Sequence, residues 1–166
     1  MTDSADNGLR VGVEVINETG VPIDEEAAAR AVMFVLERES VSSGEVALAF
    51  VEEAAMAELN KTYRSFDGAT DVLSFPGGPD DDFDWPEPEE GLALHLGDIV
   101  VCPAVAERNA AEEGISLAEE MRRLVVHGTL HLLDYDHEVD QGEQRSREAE
   151  LLGDPGWDAP PLVSAP

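Results

Sequence analysis

The order in which strand-like and helix-like segments follow one another restricts the fold of this 166-residue chain more than any other feature. Short β-rich runs bounded by turn residues predict strands, and longer segments with apolar residues at helical spacing predict helices. Strands are predicted at residues 9–15, 45–51, 71–75 and 94–102, and helices at about 24–40, 52–64, 103–113, 116–133 and 141–152. The order β-α-β-α-β-β-α-α-α predicts an α/β (α+β) fold, a mixed four-stranded sheet packed with about five helices.

Several helix ends carry capping signals. Asp24 stands where the first helix needs an N-cap. Pro103 suits the first turn of a later helix, and Gly114 suits its end. Ser116 and Glu119 form a capping-box pattern at the start of the longest helix.

The length predicts a single catalytic domain, residues 1–166, with a core from about residue 9 to residue 152. The stretch 77–92 is rich in proline, glycine and aspartate, and it is predicted to be an acidic mobile loop, with residues 153–166 as an irregular tail. No apolar run is long enough to span a membrane, and the N-terminus lacks signal-peptide features. The single cysteine, Cys102, cannot form an internal disulfide. These features predict a cytoplasmic protein and say nothing of its oligomeric state.

The charge balance is strongly acidic. The chain has 37 acidic and 10 basic residues, a formal net charge of −27. Such a field repels polyanions at long range, so taken alone it argues against a nucleic-acid partner. An acidic surface also favours solubility, and the local surroundings of a site therefore outweigh the net charge.

Three of the four histidines lie in one short segment, HGTLHLLDYDH, at positions 127–137. His127 and His131 are four residues apart, which on a helix places both rings on one face, within reach of one metal ion. The sequence after residue 133 predicts a helix exit and a turn, which can bring His137 to the same ion. Three imidazoles with one open position are typical of a catalytic zinc site, although ligand type alone also allows nickel, copper or iron.

A histidine pair at this spacing also occurs by chance on helix surfaces. The flanking residues predict a largely buried helix, because they are apolar: Leu124, Val125, Val126, Leu130, Leu132 and Leu133. An unsatisfied buried polar group costs roughly 1–3 kcal/mol, so metal binding is the favoured interpretation. His95 lies outside the segment and is predicted to be a surface or core residue.

Gly128 occupies the position that holds a glutamate in the HExxH pattern of zincin metalloproteases. That glutamate is the general base of peptide hydrolysis, so its replacement argues against a protease. A glycine inside a helix costs about 1 kcal/mol relative to alanine. Its expected benefit is space, either for close helix packing or for a substrate.

Two further segments accompany the histidine segment, LNKTYRSFDGATDVLSFP at 59–76 and LGDIVVC at 96–102. The three resemble, in order, the blocks LNxxYRxxDxxTDVLSFP, LGDIVI and HGxLHLxGYDH of the YbeY family, single-strand-specific metallo-endoribonucleases of ribosomal RNA maturation. The resemblance covers roughly residues 10–152. Asp134 departs from it, because the family has glycine there. Aspartate tolerates the left-handed conformation that a glycine adopts at a helix exit.

The resemblance implies a zinc-dependent endoribonuclease that acts on single-stranded RNA in 3′ end maturation of small-subunit ribosomal RNA and in ribosome quality control. It implies ribosomal RNA and the ribosomal small subunit as partners. It also implies one Zn²⁺ held by His127, His131 and His137 with an open water position, and Arg64 as the functional arginine. An arginine fork can clamp phosphoryl oxygens on which charge builds. The other interpretation of Arg64 is a cation that complements a helix C-terminus.

Other residues are expected to be structural. Asp71, Ser74 and Asp98 fall in the same blocks, and capping or turn formation is the favoured interpretation. Arg123 is expected to pair with a nearby glutamate of its helix, and Trp157 to pack locally.

Two other functions fit the histidine pattern. One is a zinc hydrolase of peptides or esters, against which Gly128 argues. The other is a ribosome assembly factor whose metal is mainly structural.

Overall fold

The computed structural model describes residues 10–77, 95–133 and 142–163. In these ranges the strands are β1 (Arg10–Asn17), β2 (Ser43–Phe50), β3 (Val72–Pro76) and β4 (His95–Val101). The helices are α1 (Glu25–Arg38), α2 (Glu53–Arg64), α3 (Pro103–Glu113), α4 (Leu117–Leu132) and α5 (Glu143–Leu152). The predicted fold class is confirmed, since four strands and five helices follow one another in the predicted order.

The four strands form one mixed sheet in the order β1-β2-β4-β3. β1, β2 and β4 are parallel, and β3 runs antiparallel along the outer side of β4. Parallel neighbours need a crossover connection, which α1 supplies between β1 and β2. β3 is therefore an edge strand, and Ser74 in it is paired with Ile99 of β4.

Helices cover the two faces of the sheet unequally. Because side chains alternate along a strand, Leu48 and Ile99 point to one face, where they pack with α1 and α4. Leu73 and Val100 belong to a smaller cluster with Met56 of α2. The larger core also includes buried residues of the tail, Leu162 and Val163, and so extends past residue 152.

The predicted helix ends are confirmed. The Asp24 carboxylate accepts a hydrogen bond from the backbone N–H of Ala27, 3.0 Å away. The Ser116 hydroxyl accepts one from the N–H of Glu119, also at 3.0 Å. Pro103 opens α3, and Gly114 closes it in the left-handed conformation with φ 72°. These side chains and turns satisfy backbone groups that a helix end otherwise leaves unpaired.

The pairing of β4 with β2 contains a register shift near the start of β4. Gly97 there has φ 150°. A Cβ at this position would lie 2.5 Å from a methyl of Leu132 and 2.6 Å from the carbonyl oxygen of Phe75. Glycine therefore lets the end of α4 and the edge strand approach β4 closely.

Some predictions fall on residues outside the described ranges. They concern His137, Asp134 and almost all of the acidic stretch 77–92. Of the described helices, each is too short or too polar to cross a membrane.

Candidate active site

The histidine pair lies on α4, the longest described helix. His127 and His131 are one turn apart, with ring centroids separated by 6.2 Å. The rings are inclined at 62° to each other. The rest of the helix is largely buried, as its apolar sequence predicts, and the buried residues include Met121, Leu124, Val125, Val126, Leu130 and Leu132. The buried flank fixes the helix on the sheet and leaves both rings facing a common cleft.

This cleft has a volume of about 310 Å³ and lies between the C-terminal end of α2, the edge strand β3 and α4. Its lining residues come from all three elements: Tyr63, Arg64, Val72, Leu73, Ser74, Phe75, His127 and His131. The fold thus brings together the arginine and two of the three histidines singled out in the sequence. Within the described ranges, histidine, cysteine and acidic side chains form no metal-binding group of three or more. The predicted third ligand, His137, lies outside those ranges.

The imidazole of His127 is oriented by a carboxylate from α5. Its Nδ1 lies 2.8 Å from Oε2 of Glu148. Because a carboxylate accepts hydrogen bonds, Nδ1 carries a hydrogen, and in the neutral ring Nε2 is then the nitrogen with the lone pair. A carboxylate behind a histidine is the usual support of a metal ligand, since it fixes the tautomer and raises the basicity of the other nitrogen. An imidazole nitrogen supported in this way is a suitable donor atom for a zinc ion.

Gly128, between the two histidines, packs directly on the sheet. A Cβ there would lie 2.8 Å from Cγ2 of Ile99 and 3.1 Å from Oγ of Ser74. Of the two predicted uses of this glycine, close helix packing is the one observed. A side chain at position 128, where zincins carry their glutamate, would run into Ile99 of β4 and Ser74 of β3. A larger residue therefore has no room on this side of the helix.

Ser74 links the edge strand to the histidine helix. Its hydroxyl donates a hydrogen bond to the backbone carbonyl of Gly128, at 2.9 Å. The two ends of this bond are 54 residues apart in the chain. Ser74 thus lines the cleft and also supports the segment of α4 that carries both rings, a contact more specific than the turn or cap expected from the sequence.

Arg64 is the last residue of α2 and is exposed at the mouth of the cleft. The helix ends in an αL motif, because the backbone N–H of the left-handed Ser65 donates a hydrogen bond to the carbonyl of Lys61. Ser65 has the left-handed φ of 60° that this motif needs. Arg64 therefore complements the helix C-terminus and lines the cleft at the same time, and the two interpretations from the sequence do not exclude each other.

Two basic residues at this end of α2 differ from most of the described arginines in their charge pairing. Of the described side chains, five arginines form ion pairs: Arg30, Arg38, Arg108, Arg123 and Arg147. Lys61 and Arg64 form none with any described residue. In a chain with a net charge of −27, Arg64 thus brings to the cleft a positive charge that no described carboxylate pairs.

Asp71 and Asp98, the other two block residues singled out in the sequence, do not line the cleft. Asp71 accepts hydrogen bonds from the N–H of Val72 at 2.8 Å and from the amide of Asn109 at 3.1 Å. Asp98 lies 3.2 Å from Nε2 of His95, on the surface. His95 does not line the cleft.

Arg123 pairs with Glu113 of α3 at 3.3 Å and with Glu120 of its own helix at 3.4 Å. Glu120 is buried, and burial raises its pKa above the ordinary value of 4.5. Trp157 packs on Phe34, with ring centroids 4.7 Å apart. The first of these contacts joins α4 to α3, and the last joins the tail to α1.

Glu148 is a residue of the site that no sequence pattern indicates. It lies among several charged residues of α5, whose pattern has no single feature that separates one glutamate from the next. Tyr63 stands out in the sequence only as part of a block. The residue type and spacing of the histidines were informative because imidazoles are few in this chain, whereas glutamates are many.

The family model of endoribonuclease YbeY matches this chain over residues 14–153. The chain belongs to the YbeY family. The endoribonuclease YbeY of Pseudomonas putida is 42% identical over 151 residues, which cover 89% of this chain and 91% of that protein. The endoribonuclease YbeY of Mycolicibacterium smegmatis is 42% identical over 135 residues, covering 76% of this chain and 72% of that protein.

A solved structure has the same fold. The solution structure of TM1509 from Thermotoga maritima superposes with a TM-score of 0.52 at 25% sequence identity. The match covers 88% of this chain and 99% of that one. The family model and the relatives confirm the YbeY resemblance of the three sequence blocks, while the roles of Arg64 and the histidines stay predictions.

Proposed function

We propose that this protein is a zinc-dependent endoribonuclease that cleaves single-stranded RNA, with small-subunit ribosomal RNA in the cytoplasm as its substrate. The observation that carries the proposal is the cleft in which Arg64 of α2 and the two histidines of α4 line one cavity. The endoribonuclease names of the relatives support RNA as the substrate. Association with the ribosomal small subunit is part of the same proposal.

The metal ligands in this proposal are His127, His131 and His137. The contact between Nδ1 of His127 and Glu148 supports it, because that contact leaves Nε2 as the donor atom. The chemistry that zinc supplies when bound is Lewis-acid polarisation of a phosphoryl oxygen and a lowered pKa of water.

The protein itself contributes binding and charge. Arg64 presents a planar fork of N–H donors, which matches two phosphate oxygens at once. Because its guanidinium has no ion pair with a described carboxylate, a phosphate does not have to displace one. Ser74 holds the histidine helix against the edge strand that lines the same cleft. Arg64 then stabilises the negative charge that grows on the phosphoryl oxygens during cleavage.

A zinc peptidase is disfavoured by the packing of Gly128. The glutamate that would act as base in such an enzyme has no room between α4 and the sheet. An assembly factor with a purely structural metal is an outcome of the test below.

Elemental analysis combined with RNA cleavage before and after chelation tests the proposal. We expect about one zinc ion per chain and its loss in His127→Ala and His131→Ala. We also expect cleavage of single-stranded but not double-stranded RNA, which stops on chelation and returns with zinc. His95→Ala is the matched control, because this exposed histidine lies outside the cleft and should leave zinc content and cleavage unchanged. A folded, zinc-loaded protein that leaves RNA intact would contradict the proposal.

A further inference from the structure

Two aromatic side chains next to Arg64 are unusually exposed. Tyr63 is 64% and Phe66 is 57% exposed, and Ile16 is the other large hydrophobic residue of this kind in the described ranges. Single exposed apolar residues are common on protein surfaces. Here two rings flank an arginine at the mouth of a polar cleft, which is a more specific arrangement.

Local contacts orient both rings. The αL motif at the end of α2 turns the chain at Ser65, and the guanidinium carbon of Arg64 lies 5.5 Å from the centre of the Phe66 ring. Phe66 itself stays largely in solvent. Tyr63 stands edge-on against Phe75 of β3, with ring centroids 5.1 Å apart at 66°.

The loop that follows Phe66 is fixed from inside the protein. Asn60 is buried, and its side-chain amide donates a hydrogen bond to the carbonyl of Gly68 at 2.8 Å. The segment 65–68 is therefore anchored before any ligand binds, which lowers the entropy lost on binding.

We propose that Tyr63 and Phe66 form a stacking subsite for the nucleobase next to the phosphate held by Arg64. Aromatic rings beside basic groups bind single-stranded nucleic acid, because every base has a π-face and every nucleotide a phosphate. Lys61 and Arg64 supply the positive charge without ion pairs to described residues. The subsite rests on the proposed function, since its occupant is the RNA substrate. The YbeY blocks leave position 66 open, so the resemblance says nothing of Phe66.

The stacking contact also explains why unpaired RNA would be selected. A base inside a duplex is already stacked and cannot lie on Phe66 without being unpaired. The subsite is expected to accept all four bases, because stacking depends little on the pattern of hydrogen-bonding groups.

Affinity for short single-stranded RNA tests the subsite. The probes are a fluorescein-labelled RNA and a series in which one base at a time is replaced by an abasic residue, measured by fluorescence anisotropy. Phe66→Leu should weaken binding of the intact RNA by about five- to a hundred-fold. Phe66→Trp should bind about as well as the unaltered protein, because it restores a ring. Tyr63→Phe should likewise retain affinity and Tyr63→Leu lose it.

The abasic series separates stacking from a general effect on the fold. The unaltered protein should lose affinity at one or two abasic positions, and at those positions Phe66→Leu should add little further loss. Equal binding by Phe66→Leu and the unaltered protein would overturn the subsite. A loss in Phe66→Leu that is the same for every abasic RNA would overturn it as well.

Cleavage measured on the same samples distinguishes this proposal from the proposed function. If RNA binding depends on Phe66 but no RNA is cleaved, the endoribonuclease function fails and the subsite stands. If RNA is cleaved with the same KM by the unaltered protein and by Phe66→Leu, the subsite alone fails.

Discussion

Replacement of Gly128 by alanine is expected to destabilise the protein, although the same change in an exposed helix stabilises it. The new methyl group would lie 2.8 Å from Cγ2 of Ile99, a distance at which one of the groups must move. Ile99 is buried and β-branched, so its side chain has few other rotamers. Ser74 Oγ at 3.1 Å narrows the space further.

The magnitude follows from two opposing terms. Crowding in a packed core costs about 1–3 kcal/mol, and alanine is favoured over glycine inside a helix by about 1 kcal/mol. Taking crowding near the middle of its range, we expect the free energy of unfolding of Gly128→Ala to fall by about 1 kcal/mol. For a chain of this length that lowers the thermal midpoint by about 2–4 °C.

Urea unfolding of a double-mutant cycle measures the effect. Ile99→Leu moves the branch point away from Cβ and so removes the methyl that the new alanine side chain would contact. In that background Gly128→Ala should be neutral, or should stabilise by up to about 1 kcal/mol. If Gly128→Ala stabilises the otherwise unaltered protein by the full helix-propensity term, the close packing of α4 on the sheet is refuted.

Three further predictions concern the site and its support. Glu148→Gln should lower zinc affinity by roughly 10-fold or more, because it weakens the hydrogen bond that supports Nδ1 of His127. Competition with a chelator measures the affinity, and an unchanged value would contradict this role of the carboxylate. Burial raises the pKa of Glu120. The folded protein therefore keeps the proton on this carboxyl up to a higher pH than the unfolded chain does. The free energy of unfolding should consequently fall as pH rises from the ordinary pKa of 4.5 through the pKa of the folded state. In urea unfolding, the stability of Glu120→Gln relative to the unaltered protein should therefore rise across that pH range and stay constant below it. A stability difference that does not depend on pH would be inconsistent with burial as the cause. If Lys61 and Arg64 each contact one phosphate, the logarithm of the affinity for single-stranded RNA should fall with the logarithm of the salt concentration with a slope of roughly −1.4. Lys61→Ala should reduce the slope to roughly −0.7. A slope near zero in salt titrations would rule out both contacts.

Local signals made the elements predictable. Asp24, Gly114 and Ser116 each satisfy a backbone requirement within four residues of their own position, so the sequence alone locates these helix ends. The order of strands in the sheet depends on contacts between distant segments. The sequence predicted a mixed sheet, but not that β3 is the antiparallel edge strand beside α4.

The site was predictable to the extent that it depends on rare residues. His127 and His131 are conspicuous because the chain has only four histidines, and their shared helix face follows from helix geometry. Arg64 came from the family resemblance, since no local pattern relates it to residues so far along the chain. Glu148 is one of many glutamates, and only the packing of α5 on α4 places it behind His127.

The cleavage rate of single-stranded RNA by zinc-loaded Arg64→Ala, compared with the unaltered protein, tests the central claim most directly. The claim is that an arginine at the end of α2 and the histidines of α4 act on one phosphate. Loss of a group that stabilises charge in the transition state typically costs about 10²–10³ in rate. We predict a loss of that size in kcat, with zinc content and thermal midpoint retained because Arg64 is exposed. Equal rates for the two proteins would contradict the account.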